Sequence, residues 1–457
     1  MSMIDKGLSG LNASRAALSA TSNNIANSLV SGYTRQQVMT SSAGGGFYGE
    51  GSGVQVDGVR RISDQYEVAQ LWATGSAVGY AKTQATYYGQ VEKIFAGEGN
   101  NISAGLDDLF ASLNSALQQP NEIAFRQGVL NEANNISQRF NSISQGLNTQ
   151  VDQIEGQIKA SVTQVNAQLK SIAELNAEIQ ASSNGGNVPS ALLDARDSQI
   201  NELAQILNVD VVSAPNDMLN ISLPNGQPLL VGARFSSLET QVDPADPKFS
   251  TVNIKFGDTR FPVNNIEGGS LGGMIDYRDN ELKPSFDFID ELATHFATEF
   301  NTVLAAGTDL SGATPTKDLF IIDPNNPAGS LRITADFTAE ELAFGKDGTP
   351  GDNSNLRDFI SLAAKDLTFG SIGAATTLSD AFTSKIGSLG SQSKQAQTSL
   401  TTQIQLQNEA QTQWASTSGV NIDEEGANLI IYQQAYQSNA KIIAIADELF
   451  QTVLNNV

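Results

Sequence analysis

Asn428-Leu429-Ile430-Ile431-Tyr432-Gln433-Gln434-Ala435-Tyr436, with its continuation to Val457, is the stretch that decides the fold. Leu429, Tyr436, Ile443, Phe450 and Val457 recur at every seventh position, and Tyr432, Ala446 and Val453 fill the intervening d-type positions. An apolar side chain at that period keeps one seam of a helix facing a partner along its whole length. The amino end repeats the device with Ile4, Leu11, Leu18 and Ile25. Two such seams at opposite ends, with Gly-rich joints inboard, predict that the ends pack on each other or on neighbouring subunits. An ordinary amphipathic helix lying on its own core would carry a similar stripe.

Between the ends the grammar changes several times. Residues 2 to 40 read as helix, and a run of glycines from Gly44 to Gly53 breaks the pattern. Val54 to Val59 alternates apolar and polar residues like a short half-buried strand. Helix is expected over 63 to 96 and again, as one long element, over 102 to 181. Within that element Val151, Ile158, Val165, Ile172 and Ile179 hold the heptad, while Ser161 and Gln168 interrupt the d column of Ile154 and Leu175. Gly185 to Pro189 ends it, and 191 to 207 is helical again. Strand patterns follow at 209–212, 219–223 and 252–256, with the turn chemistry of Pro224-Asn225-Gly226 between them. Helix returns from Gly268 to about 306, short strands are expected at 319–322 and 331–334, and helix resumes at 356–364 and 378–414.

The expected class is therefore mainly α with an inserted β domain: terminal helices forming a coiled coil, a long rod-like helical domain and an outer β-rich domain. The boundaries read as an amino-terminal coiled-coil and linker segment (1–60) and a helical rod in three parts (61–208, 269–309 and 352–414). An outer β domain (209–268), a small β and loop excursion (310–351) and a carboxyl-terminal helix (415–457) complete the chain.

Composition narrows the function. The chain has 457 residues, with 26 Lys and Arg against 49 Asp and Glu, a formal charge of −23. Such a chain is a poor partner for nucleic acid or an anionic membrane, both of which attract cationic faces. It contains 0 cysteines, which excludes disulfides, thiolate metal sites and cysteine nucleophiles. No basic head with an apolar block marks a cleavable signal, and no run reaches the roughly 18 apolar residues of a membrane helix.

Chemistry is hard to find. His295 is the single histidine and sits in an amphipathic pattern with a carboxylate face, which favours a structural role. Gly49-Glu50-Gly51-Ser52-Gly53 lacks the strand and helix of a dinucleotide loop. Asp323-Pro324-Asn325-Asn326 and Asp352-Asn353-Ser354-Asn355 lack the spacing of an EF-hand. Asp423, Glu424 and Glu425 sit at an expected helix start, where acids complement the helix dipole. No catalytic, cofactor-binding or metal-ligating set emerges.

The residues do carry a resemblance. Asn23-Asn24-Ile25-Ala26-Asn27, then Gly32-Tyr33-Thr34-Arg35-Gln36, resembles the amino-terminal signature of bacterial flagellar rod, hook and hook-associated proteins. Asn421-Ile422-Asp423-Glu424-Glu425 leading into Leu429 is similar to the carboxyl-terminal signature of the hook-associated members of that axial family. Leu192-Leu193-Asp194-Ala195-Arg196-Asp197, with Asn201-Glu202-Leu203, gives a third match. Leu271 to Asp279 resembles the family's return into its helical domain. Two departures stand out: Ser28-Leu29-Val30-Ser31 replaces a short proline-containing linker, and Gly426 follows the paired glutamates. The chain is also short for a member with two outer domains, so one β domain is expected.

The resemblance implies a structural adapter at the junction of hook and filament, assembled as a helical ring of subunits. Its implied partners are the hook protein, the next hook-associated protein and a cytoplasmic export chaperone at the carboxyl helix, with no nucleic acid, membrane or cofactor. The implied location is the extracellular flagellum, reached through the flagellar type III apparatus without a cleaved signal, and the ends are expected to order only on assembly. A flagellin-like filament subunit, a secreted axial-type protein with a binding activity in its β domain, and a coiled-coil scaffold are the alternatives.

Overall fold

The computed structural model describes residues 3–44, 51–184, 188–257, 259–263, 266–349 and 351–455. The chain runs from α1 (Met3–Ala26) through an antiparallel hairpin of β1 (Gln36–Ser42) and β2 (Val54–Arg61). Helices α2 (Gln65–Ala96), α3 (Ile102–Ala116), α4 (Ile123–Asn184) and α5 (Ser190–Ile206) follow. The amino-terminal helix is shorter than its sequence pattern suggests. Gly32 adopts φ +79°, a left-handed turn open to glycine, and the Val, Met and Thr of the next segment favour strand.

The expected single helix over 102–181 is two. Pro120 lies in the connection between α3 and α4, where a ring nitrogen with no N–H cannot continue a helix. The 62 residues of α4 span about 90 Å at 1.5 Å per residue. Its column of Val151, Ile158, Val165, Ile172 and Ile179 is buried. Ser161 and Gln168, which interrupt the d column in sequence, are buried as well.

Seven strands then form two small antiparallel sheets. The first holds β3 (Asp210–Ser213), β4 (Leu219–Ser222), β5 (Pro228–Val231) and β6 (Arg234–Phe235), and the second β7 (Ser237–Val242), β8 (Ser250–Phe256) and β9 (Thr259–Pro262). Strands β5, β6, β7 and β9 carry no legible sequence signal: β5 is an inner strand of only four residues, and β6, β7 and β9 lie at sheet edges with weak alternation. Asparagines on α4 seat both sheets. Asn166 accepts from Leu238 N at 2.7 Å and donates to Leu238 O at 2.8 Å, so its amide pairs with the strand as a neighbouring peptide would. Asn176 donates to Leu219 O and Gly232 O, both at 2.8 Å.

The return path is broken. Helix α6 (Gly269–Tyr277) passes through a π-helical turn, Arg278–Leu282, into α7 (Lys283–Ala305). One turn with an extra residue aims two buried charges in different directions. Arg278 meets Glu155 on α4 at 3.2 Å and Ser250 O on β8 at 2.6 Å, while Glu281 receives Lys385 at 2.7 Å.

Strands β10 (Phe320–Ile321) and β11 (Arg332–Ile333), flanking α8 (Pro327–Ser330), form the expected pair near residues 310–351. That excursion is part of the body: Phe320, Leu331, Leu342 and Phe344 join the main core. Arg126 clamps it, donating to Pro120 O at 2.6 Å and Leu342 O at 2.6 Å, with its guanidinium 4.4 Å from the Phe344 ring centroid. The chain closes through α9 (Ser354–Ser361), the hairpin of β12 (Leu367–Phe369) and β13 (Ala374–Thr376), α10 (Leu378–Ser418) and α11 (Ile422–Asn455). Helix α10 thus passes the expected boundary at 414 before the chain turns. The main core spans Val91 to Leu389 and draws no residue from α1, β1, β2 or α11.

Candidate functional site

The two ends meet each other outside that core. Helices α1 and α11 pack antiparallel, with Gly7 against Ile443 and Asn24 against Glu425. The seam differs from its sequence pattern. In α1 the d positions Gly7, Ser14 and Thr21, all small, are buried, as are Ala20 and Asn24, while Leu11, Leu18 and Ile25 are half-buried beside them and Ile4 is exposed. In α11, Leu429, Tyr432, Tyr436 and Ile443 are half-buried and Ala446 is buried. Phe450 and Val453 are 60% and 62% exposed, beyond the reach of α1. Val457 lies outside the described residues. Ile430, Ile431, Ile445, Leu449 and Leu454 are likewise exposed, so α11 carries apolar surface on faces that α1 leaves open.

Where the pair meets the body, the fold builds a polar hub. Asn24 is 1% exposed and uses its whole amide. Its Oδ1 accepts from Tyr33 OH and from Gln36 N, both at 2.9 Å. Its Nδ2 donates to Gln36 O at 3.0 Å and to Glu425 Oε2 at 3.1 Å. One side chain therefore ties the end of α1, the start of β1 and the first turn of α11. Asn421 caps that turn, accepting from Asp423 N at 3.0 Å and Glu424 N at 3.4 Å. Arg35 pairs with Glu424 at 2.9 Å, and its own N–H donates to Ser418 O at 2.8 Å. Asn27 stands apart: it ends α1 by donating from Nδ2 to Asn23 O at 2.9 Å.

The third matched segment closes the hub from the body side. Asp194 accepts from Thr34 Oγ1 at 2.6 Å and pairs with Arg61 at 3.0 Å, and Asp197 pairs with the same guanidinium at 2.8 Å. Burial pushes Asp197 up despite Arg61 and Arg196, and burial pulls Arg196 down. Burial, then the carboxylates of Asp194 and Glu425, pushes Tyr33 up to about 12, so its hydroxyl stays a donor. Glu67 on α2 accepts from Thr417 Oγ1 at 2.9 Å and ties in the end of α10. Trp72 and Trp414, the only 2 tryptophans, line a cavity of about 90 Å³ at this joint.

Of the sequence-derived positions, Asn24, Gly32, Tyr33, Arg35, Gln36, Asn421, Glu424 and Glu425 come together here, and Asp423 sits exposed on the capped turn. Sequence reasoning missed Arg61 and Glu67 as hub members, named Thr34 only within the matched signature, and missed Gly7, Ser14 and Thr21 as seam members. Small or polar residues at d positions carry no apolar signal, although their seven-residue spacing was there to read.

Among the described residues no catalytic constellation accompanies the hub. His295 lies edge-on to Phe369, ring centroids 5.0 Å apart, with Nε2 3.9 Å from Glu291. Among the described residues no group of three or more His, Cys, Asp and Glu could hold a metal ion, and no helix is long and apolar enough to cross a membrane. Paired ends, an interlocked polar joint and an open apolar helix face are those of a structural protein.

Comparison with known proteins makes that class specific. Residues 88–320 match the model of the flagellar hook-associated protein FlgK helical domain. Residues 4–34 match the flagella basal body rod protein model and 411–456 the carboxyl-terminal model of the flagellar basal body rod FlgEFG proteins. Flagellar hook-associated protein 1 of Salmonella typhimurium is 28% identical, over 99% of this chain and 99% of its own length. The Bacillus subtilis protein of the same name is 27% identical over 98% and 96%. The solved structure of the flagellar hook junction protein FlgK from Burkholderia pseudomallei superposes with a TM-score of 0.66 at 17% identity, covering 75% of this chain and 99% of that one. The chain belongs to the flagellar hook-associated protein 1 family, a family of structural proteins of the bacterial flagellum.

Proposed function

We propose that this protein is the structural adapter between hook and filament, assembling as a ring of subunits whose paired terminal helices form the inner, coiled-coil layer. The observation that carries the reading is the hub. Segments from both ends and the middle converge on Asn24, Arg61 and Asp194, so the terminal pair is fastened to the body at one polar joint while α11 keeps apolar faces open. In this reading the helical body forms a rod outside that layer, the sheets of 209–268 face outward, and hook protein and the next hook-associated protein take the two ends of the ring. The same carboxyl seam, roughly 423–457, is where an export chaperone would shield the chain before passage through the flagellar type III apparatus. The adapter works by contact area and turns over no substrate.

Deletion of the gene tests this, read by electron microscopy of the cells and by flagellin in the medium. Bare hooks and shed flagellin are expected, and a restored copy carrying Leu429→Ser, Tyr436→Ser and Ile443→Ser should reproduce the defect. Normal filaments on the deletion strain would overturn the reading.

A further inference from the structure

The α1–α11 pair could in principle slide, because both heptads repeat along their length. The structure holds a feature that opposes sliding. Gly7 and Gly10 are the only glycines of α1, and both face α11. A Cβ on Gly7 would stand 2.9 Å from Ile443 Cγ1, and a Cβ on Gly10 would stand 2.6 Å from Asn439 Oδ1. Two α11 side chains one turn apart thus occupy two gaps one turn apart. The opposite side of the same α1 segment is gripped as well. Val54 N donates to Ser9 Oγ at 3.2 Å, and Gly53, at φ +104°, lies so close that a Cβ there would overlap the Ser9 hydroxyl.

We infer that the notch formed by Gly7 and Gly10, filled by Ile443 and Asn439, is the register key of the terminal helix pair. A slip of one heptad would set Ser14 and Ala17 against Ile443 and Asn439, and each carries a Cβ where the notch has none. A slip of one turn would set Ala13, which also carries a Cβ, against Asn439. Asn439 continues the column of Tyr432 and Ala446, and a polar residue in an apolar column penalises out-of-register pairings. The key also decides how far the apolar end of α11, with Phe450 and Val453, runs past α1. The inference concerns the isolated chain and stands or falls independently of the junction reading.

The absence of cysteine gives a clean test in the full chain. The contacts Gly7–Ile443, Gly10–Asn439 and Asn24–Glu425 run antiparallel in step, which puts Ser14 across from Ala435. Ser14→Cys with Ala435→Cys reports the native register, and Ser14→Cys with Ile442→Cys reports a slip of one heptad. With a short thiol cross-linker the native pair should link at least about ten-fold faster than the slipped pair. Gly10→Leu should erase that preference, and adding Asn439→Ala should restore it. Leucine favours helix over glycine, so a lost preference cannot be put down to a weakened α1. Thermal unfolding of the body, whose core holds no α1 residue, should stay unchanged. Equal rates for the two pairs in the parent would overturn the inference. So would an intact preference in Gly10→Leu, or a lost one that Asn439→Ala fails to restore.

Discussion

The body and the terminal pair are held by different physics. From Val91 to Leu389 the chain shares one apolar core, in which Phe296 packs against Phe140, Phe300 and Phe320 at ring-centroid distances of 5.7, 4.7 and 4.8 Å. The pair of α1 and α11 has small residues at its deepest positions, half-buried large ones beside them, and a hub of hydrogen bonds and ion pairs at one end. Buried apolar area stabilises outright, at about 25 cal/mol per Å². A hydrogen bond nets only about 1 kcal/mol, because the unfolded chain bonds to water instead. The stability of the body therefore rests mainly on buried apolar area, and that of the pair more on its polar hub and half-buried seam.

Substitutions on the two sides of this divide should behave differently. Phe296→Ala removes a fully buried ring and should cost the body about 3–5 kcal/mol, read as a lower denaturant midpoint. Arg126→Met strips the donor from carbonyls of Pro120, Ala339 and Leu342 and should cost about 2 kcal/mol, with proteolysis opening the 307–351 region first.

Asn24→Leu leaves Glu425, Tyr33 and both backbone groups of Gln36 without their partner. It should cost about 1–3 kcal/mol, felt as faster amide exchange around 24–36 and 421–429, with the body's midpoint unmoved. Leu29→Ser, at a side chain 95% exposed in the turn after α1, should shift stability by less than about 0.5 kcal/mol in thermal unfolding.

Acid should sharpen the contrast inside the body itself. The N–H groups of Lys346 and Ser354 hold the Asp352 carboxyl far below its usual range, and the Lys317 ammonium and Thr338 N–H hold Glu341 down. A depressed carboxylate contributes stability that is full above its unfolded pKa of about 4 and is lost as pH falls through its folded value. Pepsin cleavage should therefore concentrate at 338–354 as pH drops below about 4, while the Phe296 cluster stays protected.

Sequence period exposes the strongest features and little else. The α4 column from Val151 to Ile179 is legible because apolar spacing over many turns has one reading. Pro120 is visible too, as a residue that breaks helix, yet the apolar pattern on either side of it outweighs it on paper. The short strands at 228–242 and 259–262 are not legible: β5 and β6 are too short to show a period, β9 is exposed throughout, and β7 is seated by Asn166 of α4 through its backbone, a contact with no local pattern. The hub is visible only through resemblance. Asn24, Arg61, Asp194 and Glu425 lie far apart in the chain, and no spacing rule links them. The seam of α1 is half legible: Leu11, Leu18 and Ile25 carry the apolar signal, and Gly7, Ser14 and Thr21 do the closer packing.

Amide hydrogen exchange on the isolated full-length chain tests the central division most directly. Amides of α1 and α11 should exchange at least about a thousand-fold faster than those of α4 and α7, because helix pairs with open seams are marginal in water. Protection of α1 and α11 equal to that of α4 and α7 would contradict it, by showing that the ends are stable without neighbours.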